Sequence, residues 1–502
     1  MAQHLSPWIA TAPPSGLPPS ELPRDADVAV LGAGVVGLTT AALLQRAGHR
    51  VVVVEAGRVG RGVTGHSTVK ATVAQGTVLT RIGQRLGDDA ARVYAQANAA
   101  GLRRIRSLAD ELDVECDLAT GPHVLYARGP QSVDAVRTEA RVAAACGLAV
   151  EETDEVPLPF EVAAAASFPD QVSLHPVRYL LGLARAVVDA GGTVVEGARA
   201  TGVRDDDPCV VSTTAGELRA GHVVVATHVP FLDRGLHFTK LAHHRAYGVA
   251  AVLPDGVDVG MTLAVDEPTR STRTVEVDGE RLAVVVGEGH HVGEGGDTSR
   301  RWRALGDWAA QHLGAGPVRY TWSTQDASTP DGLPYVGRLT PGTDRLLLAT
   351  GFAGWGMTNG TAAAEVLADQ VEGRVNPWAE ALDARRFTLS RTAGPLAAQN
   401  ARVAAHAVGD RLRHLAAGRP QDLAPGQAAV LRVGARHLAC YRDDDGALHV
   451  VAARCTHLGC LVAWNDGERS WDCPCHASRF DHTGTVLQGP AVRPLPPASR
   501  YA

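Results

Sequence analysis

Two short segments near the C-terminus hold the residues best suited to chemistry. The first reads Cys455-Thr456-His457-Leu458-Gly459-Cys460; the second, Cys473-Pro474-Cys475-His476, follows with fifteen residues between His457 and Cys473. Two separate loops that each present one thiol and one imidazole can together close a four-ligand metal set. Zinc accepts two Cys and two His tetrahedrally. A two-iron cluster can instead take two thiolates on one iron and two neutral imidazoles on the other. The C-x-H spacing of the first loop departs from the C-x-x-C turn common in zinc fingers, and Cys460 and Cys475 stand beside the set. The other four of the eight cysteines, Cys116, Cys146, Cys209 and Cys440, are scattered and read as small buried hydrophobes.

A second constellation lies near the N-terminus. Val28-Ala29-Val30-Leu31 is a continuous apolar run, the pattern of a parallel strand covered on both faces. Gly32-Ala33-Gly34-Val35-Val36-Gly37 follows, then an Ala/Leu-rich helix to about Ala47, a closing Gly48, and the strand Val51-Val52-Val53-Val54 ending in Glu55. This is a complete βαβ dinucleotide fingerprint. Gly32, Gly34 and Gly37 permit the tight turn and close backbone approach, the helix N-terminus faces the pyrophosphate, and Glu55 is placed to accept ribose hydroxyls. FAD and NAD both satisfy that pattern.

The stretches C-T-H-L-G-C and C-P-C-H-A-S-R-F resemble the Rieske iron–sulfur family. The resemblance implies Cys455, His457, Cys473 and His476 as ligands of a [2Fe–2S] cluster, and a disulfide between Cys460 and Cys475. Short apolar runs and turn signals from Gln427 to Val451 fit a small antiparallel barrel or sandwich. Gly489-Pro490-Ala491 is similar to the family's proline loop. High-potential members carry Tyr two residues after the cluster-loop Ser; here Phe480 follows Ser478. Hydrogen bonds to cluster sulfurs raise the potential, so Ser478 is expected to keep one such bond and Phe480 to forfeit another.

From Ala56 to Thr68 the chain resembles the D-amino-acid oxidase and glycine oxidase superfamily. Further similarities are Pro176 to Gly192 with Thr193-Val194-Val195-Glu196, the strand Val223 to Thr227, the loop Thr329-Pro330-Asp331-Gly332-Leu333-Pro334-Tyr335-Val336-Gly337, and Leu346 to Met357. This resemblance covers roughly residues 25–385 and implies FAD, with Thr64, His66, Val195, Gly351 and Gly356 joining the glycines and Glu55 in holding it. Some relatives link the flavin covalently at the step of His66, and others hold it without a covalent bond. Lys70 could lend the flavin ring a positive charge, or make a phosphate or surface contact. No catalytic residue is assigned. Arg245 and Arg273 could clamp a carboxylate, although a surface role is commoner for any one Arg. His243 and His244 read as one core and one surface residue.

Positioning these groups requires several domains. At 502 residues the chain exceeds what one core usually serves. The expected architecture is an α/β Rossmann-like FAD-binding domain with an α+β substrate domain, plus a small all-β Rieske domain. The expected boundaries are a flexible arm over 1–24, the oxidoreductase over 25–385, a helical connector over 386–424 and the cluster domain over 425–502. The connector should hold a helix from about Pro395 to Ala416 and act as a tether. The net charge of -6 offers no nucleic-acid surface. Lys70 and Lys240 are the only lysines, and no apolar run reaches membrane-spanning length. The Pro- and Ser-rich start lacks the features of a signal peptide, which places the protein in the cytoplasm. Gly287-Glu288-Gly289 reads as a turn, so a second nucleotide site for a nicotinamide is not expected. The implied activity is oxidation of an amino acid or secondary amine, with electrons passing from FAD to the cluster and on to an external acceptor. The alternatives are an electron-transfer component serving a partner enzyme, and a redox-sensing scaffold.

Overall fold

A computed structural model describes residues 2–294, 297–386, 389–413 and 418–498. Within them, the βαβ fingerprint folds as its pattern dictates. Val-rich runs with buried side chains on both faces form the parallel strands Asp25–Leu31 and Val51–Val54, paired with Val28 opposite Val51. Gly216–Val225, Leu346–Thr350 and Thr193–Val195 extend the parallel sheet, and Tyr335–Arg338 adds an antiparallel edge. The helices Val35–Arg46 and Gly356–Val371 pack together on this sheet through small residues, among them Gly360 against Val35 and Val36. A large, mostly antiparallel sheet forms the second unit, in the order Val318–Ser328, Ala242–Val252, Glu280–His291, Ser271–Val277, Met261–Ala264, Ala119–Ala127, Ala164–Ser173 and Lys70–Ala71. The third unit is all-β. Ala428–Val433, Arg436–Arg442 and Leu448–Ala452 form one antiparallel sheet, and four short strands from Ala463 to Gln488 form another. Its core is Trp471, Phe480, Tyr441, Val451 and Leu461, packed around the four clustered cysteines.

Four expectations change. The N-terminal arm is not loose: Ser6 caps the short helix Pro7–Ala10, Trp8 is 1% exposed, and Trp8 Nε1 donates to Ser67 O at 2.8 Å. An indole that buries its ring and satisfies its N–H has reason to stay put. Gly287-Glu288-Gly289 is no turn between strands; the strand Glu280–His291 runs through it. A bulge between Arg245 and Tyr247 on the neighbouring strand and the positive φ of Glu288 absorb the irregularity. Neither Arg245 nor Arg273 lies on the surface. The connector helix spans Leu389–Arg413 and so begins before Pro395; its expected end at Ala416 lies outside the described residues. Among the described residues no helix is long and apolar enough to cross a membrane.

Candidate functional site

The glycine turn is built to exclude side chains. A Cβ on Gly32, whose φ is +108°, would lie 2.5 Å from Ala226 O, and one on Gly37 would lie 1.9 Å from Gly32 O. The helix Val35–Arg46 therefore starts directly against the strand end, and Gly34 caps it with no side-chain hydrogen bond. Thr64 stands over that N-terminus, with Oγ1 3.4 Å from Val35 N. Free backbone N–H groups and a bare Gly34 suit a pyrophosphate. Glu55 accepts from Ala33 N at 2.8 Å and from Gly57 N at 2.7 Å. Burial raises its pKa, with those two N–H groups opposing. Each carboxylate oxygen retains acceptor capacity for a hydroxyl. Val195 contributes its carbonyl to Glu55 N, which holds the second strand's end in place.

Two further loops converge on the same side of the fold. Gly351, at φ +84°, ends its strand where a Cβ would meet Thr329 at 2.6 Å. Gly356 opens the next helix, and Gly354 N donates to the Asp326 carboxylate. His66 Nδ1 lies 2.9 Å from Gly62 O, so that nitrogen carries the proton and Nε2 keeps its lone pair. Burial lowers the pKa of this imidazole. Lys70 makes no surface contact: it is buried, with Nζ 2.7 Å from Thr262 O and 3.2 Å from His123 Nε2, and burial drops its pKa well below the usual amine value. Arg273 is spent on the carbonyls of Thr68, Val69 and Leu174 and stacks on Trp8.

The four expected cluster ligands come together at the other end of the large sheet. Cys455 and Cys473 share a hydrogen bond, and their loops close on themselves through Cys455 N to Cys460 O at 2.8 Å and Cys473 N to Ser478 O at 2.7 Å. The Cys455 thiol is held down at about 7, chiefly by Cys473, with the backbone N–H groups of His457 and Leu458 and the Ser478 hydroxyl adding to the effect. His457 and His476 lie 5.1 Å apart between ring centroids. The Nδ1 atoms of both are buried without any hydrogen-bond partner. Burial takes His476 down to about 4, so it is the neutral form, which is the one that binds metal. Two orphaned imidazole nitrogens and two thiols carried on the same two loops fit a two-iron cluster. Cys460 and Cys475 form a disulfide between the loops. The Ser478 hydroxyl accepts from Ala491 N at 3.0 Å, and Phe480 is wholly buried.

Several residues, most of them not singled out from the sequence, join the two regions. Gln325 Nε2 donates to Ala477 O at 2.8 Å, beside His476, while the next residue, Asp326, holds Gly354 N. His228 links Asp326 (3.1 Å) to Gln488 (3.2 Å), next to the proline loop. Arg245 Nη2 pairs with Asp472 at 2.9 Å, and Arg479 pairs with Glu468 at 3.0 Å and Asp472 at 3.2 Å. Asp233 meets His457, and Phe238 meets both His457 and His476. His243 is core and His244 exposed; neither ring nitrogen of His243 has a hydrogen-bond partner. A buried polar network of Gln75, Tyr94, Asn98, Thr358 and Asn359 supports the Gly356 helix from below. Its members are far apart in the chain, and no local pattern announces them.

A cavity of about 340 Å³ lies between the large sheet and the connector helix, lined by Arg85, Lys240, His244, His291, Thr329 and Arg402.

Comparison with known proteins agrees with this division. The family model described as FAD dependent oxidoreductase matches residues 27–370, and the model described as Rieske [2Fe-2S] domain matches residues 414–499. YhfW of Bacillus subtilis (strain 168), named for a Rieske 2Fe-2S iron-sulfur protein, is 32% identical over 97% of this chain and 96% of its own. Among solved structures, glycine oxidase from Geobacillus kaustophilus superposes with a TM-score of 0.60 at 20% identity, covering 73% of this chain and 100% of its own. L-proline dehydrogenase from P. horikoshii gives 0.60 at 18%, covering 73% and 98%. At these identities the two structures establish the fold.

Proposed function

Because the chain belongs to the FAD-dependent oxidoreductase family and ends in a Rieske [2Fe–2S] domain, we propose that it dehydrogenates an amino acid or secondary amine and passes the electrons from FAD to its own cluster. When bound, FAD takes the electron pair from a C–H beside nitrogen and the cluster carries electrons singly. Gly32, Gly34, Gly37, Glu55 and Thr64 would hold the nucleotide half of FAD, with His66, Gly351 and Gly356 toward its ring. Cys455, Cys473, His457 and His476 would hold the cluster.

The observation that carries this reading is the docking of the two cofactor regions: Gln325 grips the cluster loop while its neighbour Asp326 grips the Gly354 loop. An oxidase handing electrons to oxygen has no need of that junction. Three cations, Arg85, Lys240 and Arg402, line the cavity and suit a substrate with a carboxylate, which would compete with the Glu294 partner of Arg402 and the Pro330 carbonyl held by Arg85. Thr329 and the connector helix border the cavity. The test is anaerobic reduction of the purified protein by a panel of amino acids and secondary amines, following flavin absorbance and the EPR signal of the reduced cluster together. Bleaching by an amine, with the cluster signal following, is the expected result.

One observation favours an electron-transfer component fed by an external donor. Arg245 and Arg273, both suited to clamp a carboxylate, are already engaged within the protein. Reduction by NADH or a reduced ferredoxin, with no amine effective, would establish that reading instead.

The cluster's potential should lie below about +300 mV, the top of the Rieske range. The buried Phe480 has no hydroxyl to offer a cluster sulfur. A redox titration checks this, and a midpoint at the upper limit would refute the role given to Phe480.

A further inference from the structure

His457 is held by a residue 224 positions earlier in the chain. Its Nε2 lies 2.9 Å from Asp233 Oδ1, with the His457 side chain 5% exposed and Asp233 57% exposed. Asp233 precedes the 3-10 segment Arg234–Lys240, which leaves the parallel sheet of the flavin unit and crosses to the cluster loops. From the same segment Phe238 packs edge-on against both ligand imidazoles, at 5.5 Å from His457 and 5.0 Å from His476 between centroids. The imidazole edges thus face the chain's own flavin unit.

A carboxylate can only accept, so the short contact puts the His457 proton on Nε2 and leaves the lone pair on Nδ1. Nδ1 is the buried atom with no partner. The hydrogen bond therefore selects the tautomer a metal needs. A carboxylate behind a ligating imidazole also fixes the ring's orientation and makes it a stronger donor. Stronger donation stabilises the more highly charged, oxidised iron and makes reduction harder. His476 has no counterpart to Asp233 among the described residues, so the effect falls on one ligand of the pair.

We propose that Asp233 is a positioning residue of the cluster: from the flavin unit it fixes the His457 tautomer and lowers the cluster's reduction potential. The proposal rests on the ligand set argued above, and not on the identity of the substrate.

The test uses the full-length holoprotein with Asp233→Asn, Asp233→Ala and Asp233→Glu. Pulsed EPR on the reduced wild type first counts the coupled imidazole nitrogens. Finding two supports the ligand set, and finding fewer overturns it and the proposal with it. Potentiometric titration of the EPR signal then gives the midpoints. Asp233→Ala should raise the reduced-to-oxidised ratio at the wild-type midpoint about tenfold, equivalent to about 59 mV for one electron. Asp233→Asn should shift the same way by less, and Asp233→Glu should restore most of the wild-type value. The remote-nitrogen coupling should change for one histidine and not for the other. Asp233 is half exposed and outside the cluster domain's core, and the isosteric Asn variant carries the test if the Ala variant loads cluster poorly. Wild-type midpoints and unchanged couplings in the variants, with two nitrogens present, would overturn the proposal.

Discussion

Cys473→Ser should yield a protein that keeps its flavin, loses its iron and shows no reduced-cluster EPR signal. Cys473 is 1% exposed, shares a hydrogen bond with Cys455, and sits in a loop whose turn is closed by Ala477 N to Cys473 O at 3.0 Å. Serine fits that turn but offers a hydroxyl, which at neutral pH is neither deprotonated nor soft, where iron–sulfur clusters require thiolate. Because a cluster contributes binding free energy only to the folded state, losing it also removes stability from a domain too small for a large core. The variant should therefore show a new low-temperature unfolding transition for the C-terminal domain. The flavin unit has its own cores, built on Val28, Val30, Leu38 and Leu180 on one face of the parallel sheet and on Val52, Val223 and Leu348 on the other, and should melt as before. Iron per chain, the EPR signal and flavin absorbance decide the matter. Full iron retention would remove Cys473 from the ligand set.

Arg245→Met should cost about 3–5 kcal/mol, the usual result of leaving a buried charge without its partner. Arg245 is 1% exposed and satisfies Asp472 and Gln325 at once, each at 2.9 Å. Without it, Asp472 and Glu468 are left to share Arg479 in a buried junction. The loss should appear in denaturant unfolding as earlier release of the cluster domain. Arg245→Met combined with Asp472→Leu should recover part of it, since a matched apolar pair leaves no stranded charge. The same junction sets an acid limit. Burial pushes Glu468 up, but Arg479 and then Arg245 outweigh it and hold its pKa at about 2, below the ordinary 4.5. A folded-state pKa below the unfolded one means this stabilisation is complete above about pH 4.5 and is lost as pH falls toward 2. In Arg245→Met the folded-state pKa of Glu468 should rise toward 4.5, so the stability lost on acidification should be smaller than in wild type. A variant as stable as wild type, with the same acid profile, would show that the junction holds nothing together.

What could be read from the sequence was what is local. The glycine turn, the strand before it and Glu55 after it form a contiguous signature, because their mutual contacts are dictated by a few bonds of chain. The cluster loops were legible for the same reason: each Cys and His pair lies within four residues. Asp233 and His457, by contrast, are separated by 224 positions, and Gln325 and Ala477 by 152. Nothing near Asp233 sets it apart from the chain's other acids until the fold brings it to an imidazole. Arg245 was noticed for its charge, but its partner depends on how two domains meet. The N-terminal arm misled through composition: its prolines suggested a loose segment, while Ser6 followed by Pro7 is a helix start and Trp8 is an anchor.

The strand Val318–Ser328 has a consequence for how the two redox groups are spaced. Successive side chains on a strand point to opposite faces. Gln325 looks one way to the cluster loop and Asp326 the other way to the Gly354 loop. In the docked arrangement the gap between the two loops is thus set by a single strand of backbone. The length of the connector helix can drift without altering that gap, whereas inserting one residue between Gln325 and Asp326 would put both side chains on one face of the strand and cost one of the two grips.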